Sequence, residues 1–279
     1  KKGEIKEVIV FGENFAEKLE RENRAEMHLI VDASDPNTGK IISSSTQAII
    51  KKYIQEINQQ AQLPYNIKTI PAMLFNPELK GAFMFVPGVM ALLLTLISAL
   101  MTSISLTREK EMGTMEMLLV SPFKAGHIIA GKVVTYVILS MINAGGILLL
   151  ANLVFDLPVN GSLVILLVEC LLFVTTALSL GILISTVTDS QMKAMMMSTV
   201  GLMMPTMLLS GFIFPIDNMP FTIQLITNLV PARWFITIIK NIMFKCTGIQ
   251  YFWKETIVLL IMTTAFISLS IHNFKDRLE

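Results

Sequence analysis

One stretch of the chain has the spacing of a nucleotide site. Gly126-His127-Ile128-Ile129-Ala130-Gly131-Lys132-Val133 fits G-x₄-G-K, in which backbone N–H groups and a lysine cradle phosphates, but Val133 stands where a Ser or Thr would hold magnesium. A phosphate loop also follows a strand, whereas this run follows an amphipathic stretch and leads into a long apolar one, so the match is read as chance. The apolar segments hold no His or carboxylate cluster with metal or acid–base spacing, and no catalytic residue or metal site is expected. Cys170 and Cys246 lie far apart and suggest neither a disulfide framework nor a metal cluster. Glu169 is different, because it sits inside an apolar run, where an ionised carboxylate costs about 2.5–3.5 kcal/mol. A cationic substrate on a transport path, protonation, or a polar group on a neighbouring helix would each compensate it. Met192, Met195, Met196, Met197, Met203, Met204 and Met207 cluster in another apolar run. Their flexible, polarizable side chains suit irregular apolar ligands, and their helical spacing suits a lipid-facing or packing surface equally. Met203 and Met207 join Glu169 as candidates for a substrate path.

The elements that position these residues follow from composition. Of the residues, 53% are hydrophobic and 15% charged, against roughly 25% charged in a soluble domain, so the chain is an integral membrane protein. A net charge of +1 offers no basic face for nucleic acid. Charges concentrate before about Lys80, which divides the chain into a small α/β domain over 1–80 and an all-α helical bundle over 81–279. In the first, Val8–Phe11 and His28–Val31 read as short strands around a charged helix near Asn14–Asn23, a βαβ-like start. Asp35–Gly39 reads as a turn and Ser45–Gln59 as a second helix. In the second, five apolar runs at about 83–107, 128–155, 163–188, 192–214 and 256–271 approach or exceed the roughly 20 residues that cross a bilayer, the last marginally. Lipid supplies no hydrogen-bonding partner, so these runs must be helices. Gly145-Gly146 suit close helix packing, and Pro205 a kink. Arg108, Lys110 and Lys124 place the loop after the first run on the cytoplasmic side, with the N-terminal domain outside and the C-terminus inside.

That loop carries the most informative residues, Arg108-Glu109-Lys110-Glu111-Met112-Gly113-Thr114-Met115-Glu116-Met117-Leu118-Leu119-Val120-Ser121-Pro122. Gly113 permits a change of direction, Thr114 can cap a helix and Pro122 ends it, so a short helix lies along the membrane face, either as an anchor among headgroups or as a docking element. The segment resembles the Glu-x-Gly-Thr-x-Glu-x-Leu signature, closed by Ser/Thr-Pro, of the ABC-2 family of ATP-binding-cassette transporter permeases. Similarity continues through Gly131-Lys132, Leu209–Pro215, Asn218-Met219-Pro220 and Leu229–Phe235. Val31–Thr38 is similar to the extracytoplasmic domain of drug-exporter-like members. The resemblance implies that residues 113–122 form a coupling helix, with Glu111, Gly113, Thr114, Glu116, Leu118, Leu119, Ser121 and Pro122 at an ATPase contact. It also implies a membrane helix before Lys1, making six. Met117, where a polar residue is common, and Lys245-Cys246-Thr247, in place of a glycine-rich turn, depart slightly from the pattern.

Between the last two runs, Gly211, Pro215, Pro220 and Pro231 break the chain, and Phe221–Val230 is too short to cross. Residues 215–253 therefore read as a re-entrant hairpin followed by an amphipathic helix from Pro231 to Lys245. By resemblance these residues, with Arg233, form an outer gate; a stabilising lid is the plainer reading. The expectation is a permease subunit that exports a hydrophobic or amphipathic substrate, carries no cofactor itself, and relies on ATP and Mg held by a cytoplasmic ABC ATPase subunit. A second permease copy or paralogue and a periplasmic membrane-fusion adaptor are the further expected partners, within the lipid of the inner membrane. The alternative is a membrane sensor or scaffold protein with an extracytoplasmic ligand-binding domain, against which stands the short tail after Ile271.

Overall fold

The computed structural model describes residues 5–59, 65–113, 125–245 and 248–275. Two compact units emerge, Lys1–Met84 and Phe85–Glu279.

The first unit is a three-stranded sheet in the order β1 (Glu7–Phe11), β2 (Arg24–Asp32), β3 (Asn66–Leu74), with α1 (Phe15–Glu22) and α2 (Pro36–Asn58). In β2, Ala25, Met27, Leu29 and Val31 alternate inward, and Met27, Leu29 and Ile67 form a core closed by Phe15, Leu19, Ile50 and Ile54. The expected βαβ start is displaced by one strand. β1 and β2 pair antiparallel around α1, and the parallel pair is β2 with β3, joined through α2. The expected turn at Asp35–Gly39 is instead the opening of α2. Asp35 Oδ1 accepts from the backbone N–H groups of Asn37 (3.0 Å) and Thr38 (3.2 Å), and Pro36 occupies the first turn, where its missing donor costs nothing.

Among the described residues, five helices are long and apolar enough to cross a membrane: α3 (Ala82–Glu111), α4 (Ala125–Phe155), α5 (Leu163–Val187), α6 (Gln191–Leu209) and α9 (Trp253–Lys275). Their bounds correct two expectations. α6 stops at Leu209, short of Phe214, because Gly211 takes φ +78° and redirects the backbone. α9 reaches back to Trp253, so the marginal last run becomes a helix of full length. Between them α7 (Phe221–Thr227) and α8 (Pro231–Met243) form a pair bent by 82° at the break between them.

Hydroxyl pairs join the spans: Ser98 with Ser140 (2.8 Å), Ser103 with Ser198 (2.7 Å), Thr107 with Thr188 (3.2 Å) and Thr176 with Thr263 (2.6 Å). Such bonds hold helices together where the apolar effect gives no preference for protein over lipid. Close approach occurs at Gly181, where a Cβ would lie 2.5 Å from the Ala99 carbonyl oxygen, and at Gly161, 2.3 Å from that of Ile242. Gly145 and Gly146 have open space around them, so the close packing expected there is not made within this chain. The apolar face of α8 is buried in protein: Phe235, Ile238, Ile239, Ile242 and Met243 pack inward, and Phe235 stacks on Phe173 of α5 with centroids 3.9 Å apart.

Candidate functional site

The expected coupling segment starts where α3 ends. Met112 N–H bonds the Arg108 carbonyl (3.0 Å), Gly113 N–H bonds that of Lys110 (3.1 Å), and Gly113 takes φ +67°, the left-handed closure that glycine adopts without strain. Thr114, Glu116, Leu118, Leu119, Ser121 and Pro122 lie outside the described residues.

Before that turn, three consecutive side chains tie α3 to three other helices. Glu109 accepts from Lys132 of α4, which also donates to Ser105 Oγ at 3.0 Å. Lys110 donates to the carbonyl of Ser185, in the last turn of α5, where unpaired carbonyls and the helix dipole favour a cation. Glu111 Oε2 accepts from the backbone N–H of Gln191, the first residue of α6, at 2.9 Å, where the dipole favours an anion. Glu111, expected at the ATPase contact, is thus engaged within the chain. Lys132, the lysine of the phosphate-loop-like run, lies inside helix α4 and bonds Glu109 and Ser105; among the described residues no strand leads into that helix. Sequence reasoning singled out Glu111 and missed Glu109 with Lys132, although charges next to apolar spans call for partners.

Glu169 is 2% exposed. Its Oε1 accepts from Thr256 Oγ1 of α9 at 2.8 Å, while Oε2 has no hydrogen-bond partner among the described residues. Of the three compensations weighed above, a polar group on a neighbouring helix is present in Thr256. Met203 and Met207 sit half-buried one turn apart on α6.

The residues expected at the outer gate lie along the chain from the turn at Gly211 to the first turn of α8. Gly211 turns the chain with Ile216 close beneath it, Pro215 precedes a 3₁₀ turn at Ile216–Asn218, Pro220 precedes α7 and Pro231 opens α8. Arg233 donates to Thr227 Oγ1 and to the Gln224 carbonyl (3.3 Å), and its guanidinium lies 5.1 Å from the centre of the Trp234 ring. The Trp234 indole N–H donates to the Asn228 carbonyl at 3.0 Å, so two side chains of α8 fasten the end of α7. Phe212, beside Gly211, had no functional assignment of its own. Its ring covers Gly88 of α3, where a Cβ would fall 1.9 Å from Cδ2, and meets Phe85 edge-on at 5.9 Å.

Comparisons with known proteins point one way. The family described as "ABC-2 family transporter protein" matches residues 1–272. "Probable multidrug ABC transporter permease YbhR" of Escherichia coli (strain K12) is 31% identical over 256 residues, 92% of this chain and 69% of that protein. "Probable multidrug ABC transporter permease YbhS" of the same organism is 31% identical over 286 residues, covering 99% and 74%. "ABC transporter G family member 20" of Dictyostelium discoideum is 25% identical over 271 residues, covering 95% and 37%. No solved structure matches the chain significantly.

Proposed function

Because the chain belongs to the ABC-2 family of transporter permeases, we propose that it exports a hydrophobic or amphipathic, drug-like substrate from the cytoplasm, driven by a separate ATPase subunit. The observation that carries this reading is the family match over nearly the whole chain, on a bundle of five candidate spans. A second permease copy or a paralogue completes the path, and the ATPase supplies the bound ATP and Mg. The end of α3 that carries Arg108 and Lys110 faces the cytoplasm, as those charges favour, and the N-terminal unit faces outward.

In this reading residues 113–122 dock on the ATPase, with Thr114 and Glu116 as polar contacts, Leu118 and Leu119 as the apolar seat, and Ser121-Pro122 closing the helix. ATP binding draws the ATPases together and displaces this segment. The ties of Glu109, Lys110 and Glu111 support a rigid transmission, because motion at Gly113 would reach α4, α5 and α6 together. The hairpin with Gly211, Pro215, Pro220, Pro231 and Arg233 is the gate at the far end, and Glu169, Met203 and Met207 lie along the path it closes. The N-terminal unit docks a periplasmic membrane-fusion adaptor; unchanged export after deletion of residues 1–60 would remove that role.

The test is co-purification of the full-length protein from mild detergent, with ATPase activity assayed in the eluate. An ATP-binding-cassette subunit should come down with the parent and be lost from Glu116→Ala/Leu118→Ala, while the variant keeps its elution volume. A well-folded double variant that retains both the subunit and its stimulated activity refutes the docking assignment. A parent that brings down no ATPase refutes the exporter reading.

A further inference from the structure

One face of α4 carries a pattern that packing within the chain does not use. From Gly131 onward the buried residues of α4 are Ser140, Ala144, Leu148 and Ala151, which share one side of the helix. Beside that side run Tyr136, Leu139, Asn143, Gly146, Leu150 and Leu153, spaced three, four, three, four and three residues apart. That is the spacing of an a/d seam, along which helices pair through interlocking side chains. None of the six is buried, and Leu150 and Leu153 are 55% and 70% exposed.

The leucines of this seam suit lipid as well as protein, but Asn143 does not. It stands at the midpoint of the candidate span Gly131–Phe155. One N–H of its amide bonds the Leu139 carbonyl at 3.0 Å, while the second N–H and Oδ1 have no partner among the described residues. Hydrocarbon tails supply neither donor nor acceptor at that depth, so lipid leaves the amide unsatisfied. An identical amide at the same level supplies both. Gly146 lies one turn on, and apart from its own helix nothing comes within 4 Å of where a Cβ would stand, so a neighbouring backbone can approach until two short amide side chains meet. Copies of a membrane protein insert with one orientation, so a two-fold axis along the membrane normal sets identical helices parallel, and in a parallel pair each a position faces its own counterpart. We infer that α4 pairs in parallel with α4 of a second copy of this chain along this seam, with the two Asn143 amides hydrogen-bonded at its centre. A single a-position Asn fixes register and partner number at a cost in stability, which accounts for an amide where a leucine would suit lipid better. The inference rests on the second copy named in the proposed function and gives it a docking face; it needs neither the ATPase nor the direction of export.

The experiment coexpresses full-length permease, freed of its native cysteines, with two different affinity tags and oxidises it in its own membranes with copper phenanthroline. Leu139→Cys and Leu150→Cys probe the seam. Val134→Cys and Ile138→Cys probe exposed positions turned away from it. A disulfide-linked dimer carrying both tags should form at the two seam positions at least about fivefold more than at Val134 or Ile138, because only facing positions bring Cβ atoms within bridging distance. Adding Asn143→Leu to the Leu150→Cys protein should cut that product by about threefold or more, as should Gly146→Leu, while Asn143→Gln, which keeps an amide, should retain most of it. The inference is overturned if the seam positions link no more than Val134 and Ile138, if the linked product never carries both tags, or if Asn143→Leu and Gly146→Leu proteins of unchanged elution volume link as well as the parent. Copies that co-purify through their tags yet do not link at the seam overturn the α4 pairing alone and leave the second copy standing; copies that do not co-purify overturn both.

Discussion

Gly88→Ala should damage this fold through one contact. The added methyl would sit 1.9 Å from Cδ2 of Phe212. Carbon atoms rest about 3.5 Å apart at the least, so the ring must retreat by roughly 1.6 Å. Phe212 is only 5% exposed, so it has no empty space to retreat into without leaving its seat. Overpacking of a filled site costs about 1–3 kcal/mol, and losing the edge contact with Phe85 adds about 0.5–1.5 kcal/mol. Phe212→Ala alone is costly as well, because it empties the site. In that background, however, the methyl at position 88 meets no ring, and replacing a helical glycine becomes neutral or favourable by up to about 1 kcal/mol. The sign of the Gly88→Ala effect should therefore reverse between the two backgrounds. The coupling should be at least about 2 kcal/mol, toward the upper end of what contacting residues show. Reversible unfolding in mixed micelles, titrated with dodecyl sulfate and followed by tryptophan fluorescence, gives the four free energies. Additivity within about 0.5 kcal/mol would show that Phe212 does not occupy the space above Gly88.

Other perturbations follow from the same geometry. Gly181→Ala should destabilise by at least about 2 kcal/mol in that titration, because the new methyl meets Ala99 backbone that cannot swing aside, whereas Gly145→Ala and Gly146→Ala should be neutral. Thr256→Val strips Glu169 of its donor and should cost about 1–3 kcal/mol, while Glu169→Gln, which keeps an acceptor for Thr256, should cost less than Thr256→Val in the same assay. Lys132→Met removes the Lys132 ammonium from Glu109; because the pair is partly exposed the loss should be about 1–2 kcal/mol, and Glu109→Gln in the same chain should recover part of it. Arg233→Lys removes the planar fork from the end of α7 and should raise hydrogen exchange across residues 221–230 while leaving α5 protected.

The spans were legible because lipid leaves a long apolar run only one backbone solution, and the break between α6 and α9 because Gly211, Pro215, Pro220 and Pro231 interrupt the run repeatedly. The bounds were less legible. Hydropathy continues to Phe214, but a helix ends where the backbone turns, and that is decided by the positive φ of Gly211 rather than by polarity. The polar Lys254-Glu255 pair masked the start of α9. β3 escaped notice because Pro71 lies within it; its place at the sheet edge tolerates a residue without a backbone donor. Asp35-Pro36 serves a turn and a helix start equally well, and only the bonds from Asn37 and Thr38 distinguish them. At the candidate site, the charge of Glu169 announced the need for a partner without naming Thr256, because that partner lies on a helix far along the chain. Phe212 over Gly88 left no trace in the spacing of residues.

The distance along the chain between Glu169 and Thr256 has a consequence for biosynthesis. They are 87 positions apart, and α9 is made after the other four described spans. At about 5–20 residues per second, Glu169 is synthesised roughly 4–17 seconds before the hydroxyl that will satisfy it. Phe173 likewise waits for Phe235, 62 positions on by residue number (235 − 173). During that interval α5 holds a carboxylate and an aromatic surface with no native partner, and whatever inserts the chain must shelter them. A ribosome that stalls before α9 emerges leaves Glu169 within the bundle without the Thr256 hydroxyl that bonds its Oε1 in the finished fold.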